Sequence, residues 1–440
     1  MCTAVRSTAI ARVLLGLSIG LTFVSAAAQE AFRAGSQGAP ASADSPASEP
    51  GPQTRGAAFE AALRERLAAR IHTSGERGTQ HLFAAVLQLD AIAARDRLDG
   101  DEQGTLLVSA VPFGEAASTR RASIRSSQFD WVSRTPLQTI GPLWTRVEAN
   151  LFAPDGATRP QLTQAYLRWG ETLWLGKTYS TFMDDAALPA TLDYNGPSGV
   201  SFVRQWLARV SVPLGGPVHA DLAVEQAQAD TSQGGDVAGT AVQVHTSAAR
   251  PDLAARIRVE GERAHLQLAG VSRRIDVDAE LGPSGVPPVA TTSRRIAGRG
   301  VSLSGSVPGF GEDTLSGQWV RGDGIARYFN DGVSATGVTL GTDLRPITPT
   351  LVGTTLYYRR MWGGGLSSTF GASRLELDDG ALLRPASALR TLTYASANLV
   401  WRVAPTVAVG GELQWGEARN EAGERASTLR AQVTVRWLVF

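Results

Sequence analysis

Cysteine is almost missing from this 440-residue chain. Cys2 is the only one, and it falls in an N-terminal stretch, 1–28, that reads as a cleaved signal peptide. The mature chain then holds no thiol, which excludes disulfides, Cys-ligated metal and thiol catalysis. Lysine is nearly missing too: Lys177 is the single one, so the other 41 of the 42 basic residues are arginine, set against 41 acids. Residues 1–28 carry Arg6 and Arg12 and no acid, so their removal leaves 40 basic against 41 acidic groups. That balance lacks the basic excess of a nucleic-acid binder. From Leu82 onward no apolar run approaches the length of a membrane helix. His72, His81, His219, His245 and His265 show no HExxH or other metal-ligand spacing. No glycine loop has the strand-to-helix setting of a phosphate cradle. Catalytic residues, metal ligands and cofactors are accordingly expected to be none.

What the chain does contain is alternation. The signal peptide combines Arg6 and Arg12, the apolar run from Val13 to Val24 and three alanines ending at Ala28. Residues 29–56 are rich in Ala, Ser, Pro and Gly and read as a flexible linker. Phe59, Leu63, Leu67 and Ile71 recur every four residues, predicting a short amphipathic helix within 57–80. Such a helix is too short to stand alone; association with copies of itself, contact with the barrel mouth and fraying all stay open.

Residues 81–440 carry repeated segments of period two. In Leu143 to Leu151 the odd positions are small or apolar, while Trp144, Arg146, Glu148 and Asn150 hold the even ones. Leu253, Ala255, Ile257 and Val259 alternate with Arg256, Arg258 and Glu260, and Ala395, Ala397, Leu399, Trp401 and Val403 with Ser396, Asn398 and Arg402. One apolar and one polar face suit a barrel with lipid outside and water inside. The fold class expected is all-β: a transmembrane antiparallel β-barrel of about sixteen strands with an inward-folded constriction loop. Seventeen segments qualify as strands, and Thr336 to Asp343, broken by Gly337 and Gly341, is the one demoted to a loop. Long connections are expected at Arg95 to Thr119, Ser180 to Gly199, Ala229 to Pro251, Ile275 to Arg294 and Arg321 to Thr348, all on one side. Trp131, Trp169, Trp319, Trp362, Trp401, Trp415 and Trp437 are candidates for aromatic girdles.

The stretch from Gln164 to Trp206 contains the most specific signal. A loop from Ser180 to Gly199 bears Asp184, Asp185, Asp193, Phe182, Tyr194, Pro189 and Pro197, a composition suited to packing inside a barrel and narrowing it. The run GKTYSTFMDDAALPATLDYNGPSGVSFVRQ, the pair PDLAARIRVEG and AHLQLAG, and RGDGIARYFND closely resemble the DcaP-like outer-membrane porins. The resemblance runs in order from Leu87 to Phe440. It implies a homotrimer of sixteen-stranded barrels passing small anionic solutes, typically dicarboxylates. On this reading the chain lies in the outer membrane of a Gram-negative bacterium, in contact with its lipid. The last strand, ending at Phe440, would be read by the barrel-assembly machinery.

In such a channel Arg146, Arg168, Arg204, Arg209, Arg256, Arg258 and Arg402 are the candidate pore-lining, solute-binding residues. Phe182, Asp184, Asp185, Asp193 and Tyr194 form the candidate constriction loop, its acids facing the arginines across the bore. Each arginine has a competing reading as a structural ion pair. Two other functions stay in view: a plugged structural or adhesive barrel, and a barrel hydrolase, for which His265 has Ser272 nearby but falls in the inward phase, opposite Ala264, Leu266 and Leu268.

Overall fold

The computed structural model describes residues 70–439 except 76–77, 97–103, 115, 138–140, 154, 228–234, 238–239, 249, 282–289, 332–338, 341–344 and 379–385. The linker, and the helix expected from 57 as far as residue 69, lie outside the described residues. Within the rest of that expected helix, His72–Ser74 is extended and pairs with Thr79 to His81 in antiparallel register.

Sixteen antiparallel strands close into one barrel. They are β1 (Thr79–Ala94), β2 (Thr119–Ser123 and Gln128–Thr135), β3 (Leu143–Phe152), β4 (Thr158–Trp169), β5 (Leu173–Tyr179), β6 (Arg204–Gly215), β7 (Val218–Glu225) and β8 (Asp252–Glu260). Then follow β9 (His265–Leu281), β10 (Ala290–Pro308), β11 (Thr314–Asp323), β12 (Thr350–Gly363), β13 (Leu366–Asp378), β14 (Leu389–Ala404), β15 (Val407–Asn420) and β16 (Arg425–Leu438). Closure comes from β1 against β16, where Leu87 faces Trp437 and Ala91 faces Val433. A closed barrel leaves no unpaired edge, as a strand protein needs in hydrocarbon.

The period-two reading holds strand by strand. Trp144, Arg146, Glu148 and Asn150 are all buried inside, while Leu253, Ile257 and Val259 are exposed outside. In β16, Val433, Val435 and Trp437 face out and Gln432 and Thr434 face in. Trp169, Trp362, Trp401 and Trp437 stand exposed at strand ends beside the short turns, a girdle at that rim. Trp319 and Trp415 are exposed farther up the wall, and Trp131 is only half-buried.

Long connections gather at one end and tight turns such as 216–217 and 405–406 at the other. The expected loop from Ile275 to Arg294 is a correction, because β9 and β10 continue through it, with Asp276 paired to Arg295 and Leu281 to Ala290. Its alternation is inverted, with buried Ile275 and Val277 inside and Arg274 outside, so it does not look like a lipid-facing strand. The segment Thr240–Ser247 adds a further strand against the far end of β9. Thr339–Leu340 pairs only with Pro346–Ile347, outside the barrel sheet, as the demotion of that segment required.

The inner wall is not uniformly polar. Toward the loop end Val271, Val320, Leu351, Leu375, Leu392 and Tyr394 form an apolar lining, covered by Leu106, Val108, Phe182, Ile325, Tyr328 and Phe329 from three inward loops. Apolar residues inside a wet bore would cost free energy, so the loops act as the core that these residues bury against.

Candidate functional site

The loop 180–203 leaves β5, crosses the lumen and returns to β6. Two wall carboxylates hold its backbone. At its start Glu225 accepts from Ser180 Oγ at 2.6 Å and Thr181 N at 2.7 Å. Further on Glu412 accepts from Leu192 N at 2.7 Å and Asp193 N at 3.1 Å. Two loop carboxylates are held in turn by the wall: Arg258 Nη1 reaches Asp184 at 2.8 Å and Arg430 Nη1 reaches Asp193 at 2.9 Å. Asp184 also meets His265 Nε2 and Ser304 Oγ, both at 2.8 Å. Burial alone would raise the Asp184 carboxyl, but Arg258 and the bonds from His265 and Ser304 outweigh it and hold the group well below the usual carboxylate range.

The other two inward loops are tied to the first. Asp193 accepts from Thr105 Oγ1 at 2.6 Å, and Asp331 accepts from Val108 N at 2.7 Å and Ser198 Oγ at 2.6 Å. Isolated buried carboxylates would be costly, so pairing them across three loops converts that cost into a fixed arrangement.

This geometry corrects the expected transverse field. Asp184 and Asp193 are buried, and each pairs with its own wall arginine, Arg258 on β8 and Arg430 on β16, instead of facing an open cation across the bore. Asp185 is half-buried in the single turn Asp185–Ala187. Phe182 is buried in the apolar cluster, packed edge-on to Tyr328 at 5.4 Å. Tyr194 alone of the five reaches the far wall, stacking on Phe152 of β3 at 3.7 Å, its hydroxyl accepting from Asn150 Nδ2 at 2.6 Å.

The seven candidate arginines divide by the side of the loop they occupy. Arg256 pairs with Asp221 and Arg258 with Asp184 and Glu260, both on the loop's own wall. Arg209 donates to Thr181 Oγ1 at 2.8 Å and Tyr179 O at 2.5 Å, holding the loop's first residues. Arg146 is buried between Asp130 (2.8 Å) and Glu148 (2.6 Å). Arg402 lies near the short turn at 405–406. Arg204 lies over the rings of Tyr179 and Phe202, 5.2 and 5.0 Å from their centroids. Arg168 lies between Trp144 and Trp174, at 5.2 and 5.1 Å. Lys177 falls on the outer face and donates to Leu162 O at 2.8 Å.

Sequence reasoning missed Arg436, which lines a cavity of about 70 Å3 with Gln88, Tyr179, Pro189, Tyr194 and Phe202. It also missed Arg125, 4.0 Å above the Phe152 ring. The inward phase of β16 already marked Arg436; nothing local marked Arg125. Nε and Nη2 of Arg168, Nε and Nη2 of Arg204 and Nη1 of Arg436 have no acceptor among the described residues. These donors therefore differ from Arg146, Arg256 and Arg258, whose acids are in place.

A second feature was invisible in the sequence. Arg134, Trp144, Arg168, Trp174 and Arg209 are successive register partners on β2 to β6. Guanidinium and indole alternate along this row at 5.8, 5.2, 5.1 and 5.6 Å. Each contact is a cation–π pair, and of the three arginines Arg168 also reaches an acid, its Nη1 lying 3.4 Å from Glu171 at the short-turn end of β4.

No protein-family model and no curated protein matches the chain. Solved structures do. The outer membrane channel DcaP of Acinetobacter baumannii is 17% identical, covering 83% of this chain and 99% of that one with a TM-score of 0.67. OmpT, an outer membrane protein of Vibrio cholerae folded in vitro, is 10% identical over 83% of this chain and 99% of its own, with a TM-score of 0.51. An anion-selective porin from Comamonas acidovorans is 12% identical over 82% and 99%, with a TM-score of 0.50. The closed sixteen-stranded barrel with its inward loop is thus the fold of the outer-membrane porins, and the DcaP channel is a structural counterpart of this chain.

Proposed function

We propose that this chain is an outer-membrane diffusion channel for small anions such as dicarboxylates, working as a homotrimer in a Gram-negative envelope. The observation that carries the reading is the asymmetry of the bore. The loop's buried acids Asp184 and Asp193 are neutralised by Arg258 and Arg430, whereas Nε and Nη2 of Arg168 and Arg204 and Nη1 of Arg436 have no acceptor among the described residues. A carboxylate entering this space gives up hydration and gains charge-assisted, planar hydrogen bonds. Arginine keeps its charge at any physiological pH, so the preference does not titrate away. The Comamonas acidovorans porin of similar fold is anion-selective, which agrees in direction.

The plugged barrel has its own supporting observation, the three interlocked loops over the apolar lining. Conductance separates the two. Purified protein in a planar bilayer under a salt gradient is expected to give triplet conductance steps, an anion-selective reversal potential and current block by succinate. No conductance would establish the plugged barrel instead, and cation selectivity would keep the channel but discard the arginine mechanism.

A further inference from the structure

The outer face changes character along β9, β10 and β11. Going toward the loop end, its exposed residues are Leu266 and Leu268 on β9, Leu303 and Val301 on β10, and Leu315 and Trp319 on β11. In the same outward phase the next charged residues are Arg274, Arg299 and Arg321, one per strand and all exposed. Ser272 faces Arg299 and Ala297 faces Arg274, while Val301 faces Arg321. Arg299 is therefore a diagonal neighbour of both other arginines, within about 8 Å along the sheet, the reach of long side chains.

None of the three has an ion-pair or hydrogen-bond partner among the described residues, although acids lie close. Asp276 is taken by Arg295 at 2.7 Å and Glu376 by Arg374. Asp323, opposite Arg299 in register, accepts from Thr350. Counting Asp323 against the three arginines leaves an excess of two positive charges at the upper edge of a lipid-facing wall. At the other rim, the exposed residues beside the turns are instead Trp169, Trp362, Trp401 and Trp437.

We infer that Arg274, Arg299 and Arg321 form a binding site for the phosphorylated headgroup of a lipid in the leaflet around the loop end, its acyl chains lying along Leu266, Leu268, Val301 and Leu303. Three guanidiniums in a slanted row suit phosphate oxygens, which accept planar, paired hydrogen bonds. Apolar wall directly beneath in the same phase selects a headgroup attached to hydrocarbon over a free anion. The site rests on the barrel's membrane setting and not on its permeability, so a lost conductance and a lost lipid are separate results.

The test uses the full chain folded into phosphatidylcholine nanodiscs doped with diphosphoryl lipid A or its dephosphorylated form, with bound lipid counted by native mass spectrometry. Retention of the diphosphoryl form alone is expected. At roughly fivefold in affinity per surface cation, the triple variant R274Q/R299Q/R321Q lowers it about a hundredfold. Heat-modifiable mobility on a gel shows whether that variant is still a barrel. If it is not, R299Q and R321Q singly are each expected to lose about fivefold. Equal retention of the dephosphorylated lipid, or undiminished retention by the folded variants, overturns the assignment. Displacement by millimolar inorganic phosphate also overturns it, in favour of a free-anion site.

Discussion

Asp193 and Arg430 stand 237 positions apart in the chain and meet at 2.9 Å inside the barrel, both fully buried. One carboxylate oxygen of Asp193 takes the guanidinium and Thr105 Oγ1, and its backbone N–H is held by Glu412. The constriction loop, the first inward loop and the last strand are locked at this one point.

Arg430→Met strands the Asp193 charge in the interior and is expected to cost about 3–5 kcal/mol. Replacing both residues, as in R430M/D193L, removes the uncompensated charge and recovers much of that loss. Thermal unfolding of the two variants checks the order; equal destabilisation would remove the pair from its proposed role.

Arginines on opposite sides of the loop are expected to give different phenotypes. Arg204→Gln and Arg436→Gln lower the anion-to-cation permeability ratio by about two- to fivefold, the scale of a solvated charge interaction. Arg258→Gln mainly loosens the loop, giving noisier current with a smaller shift in reversal potential. The measurement is reversal potential together with current noise in single channels.

Removing Trp174 breaks the guanidinium and indole row between Arg168 and Arg209. Each lost cation–π contact is worth about 0.5–1 kcal/mol or somewhat more when desolvated. Trp174→Leu is expected to shorten the dwell time of a blocking dicarboxylate while leaving the barrel folded. An unchanged dwell time would make the row a purely structural one.

The loop anchor should resist acid. Asp184 is held below its unfolded value, so its contribution is fully present above about pH 4 and is lost only as pH falls through the lower folded value. Asp184→Asn removes this term at neutral pH. Conductance recorded from pH 7 downward should stay steady in the parent protein past the point where an ordinary carboxylate protonates, and be altered from the start in the variant.

Where the loop comes back to the wall, the backbone of Gly199 lies against Gly353 and Arg374. A Cβ on Gly353 would overlap the Gly199 carbonyl, and one on Gly199 (φ +79°) would sit 2.7 Å from Arg374 O. Gly353→Val is expected to displace the loop and widen the channel, seen as higher conductance, rather than to prevent barrel closure.

The membrane strands were legible because lipid outside and water inside impose alternation residue by residue. Leu143 to Leu151 and β16 could be assigned to faces with no knowledge of their neighbours. Reading failed where that contrast vanishes. Ile275 and Val277 face inward yet are apolar and buried, so β9 and β10 resembled a connection. Phase also showed that Arg146, Arg209, Arg256 and Arg258 point inward, but all inward residues share one phase, whether they meet solute or hold a loop.

The chain by itself determined the barrel, its strand phase and the existence of an inward loop, since these depend on local periodicity and on the polarity of each stretch. Tertiary structure decided which way the loop's charges turn. Arg258 finds Asp184 from 74 positions away and Arg430 finds Asp193 from 237, leaving Nε and Nη2 of Arg168 and Arg204 and Nη1 of Arg436 with no acceptor among the described residues. Such a choice among partners depends on which walls the closed barrel brings within hydrogen-bond reach of the loop, and closure is a property of all sixteen strands together.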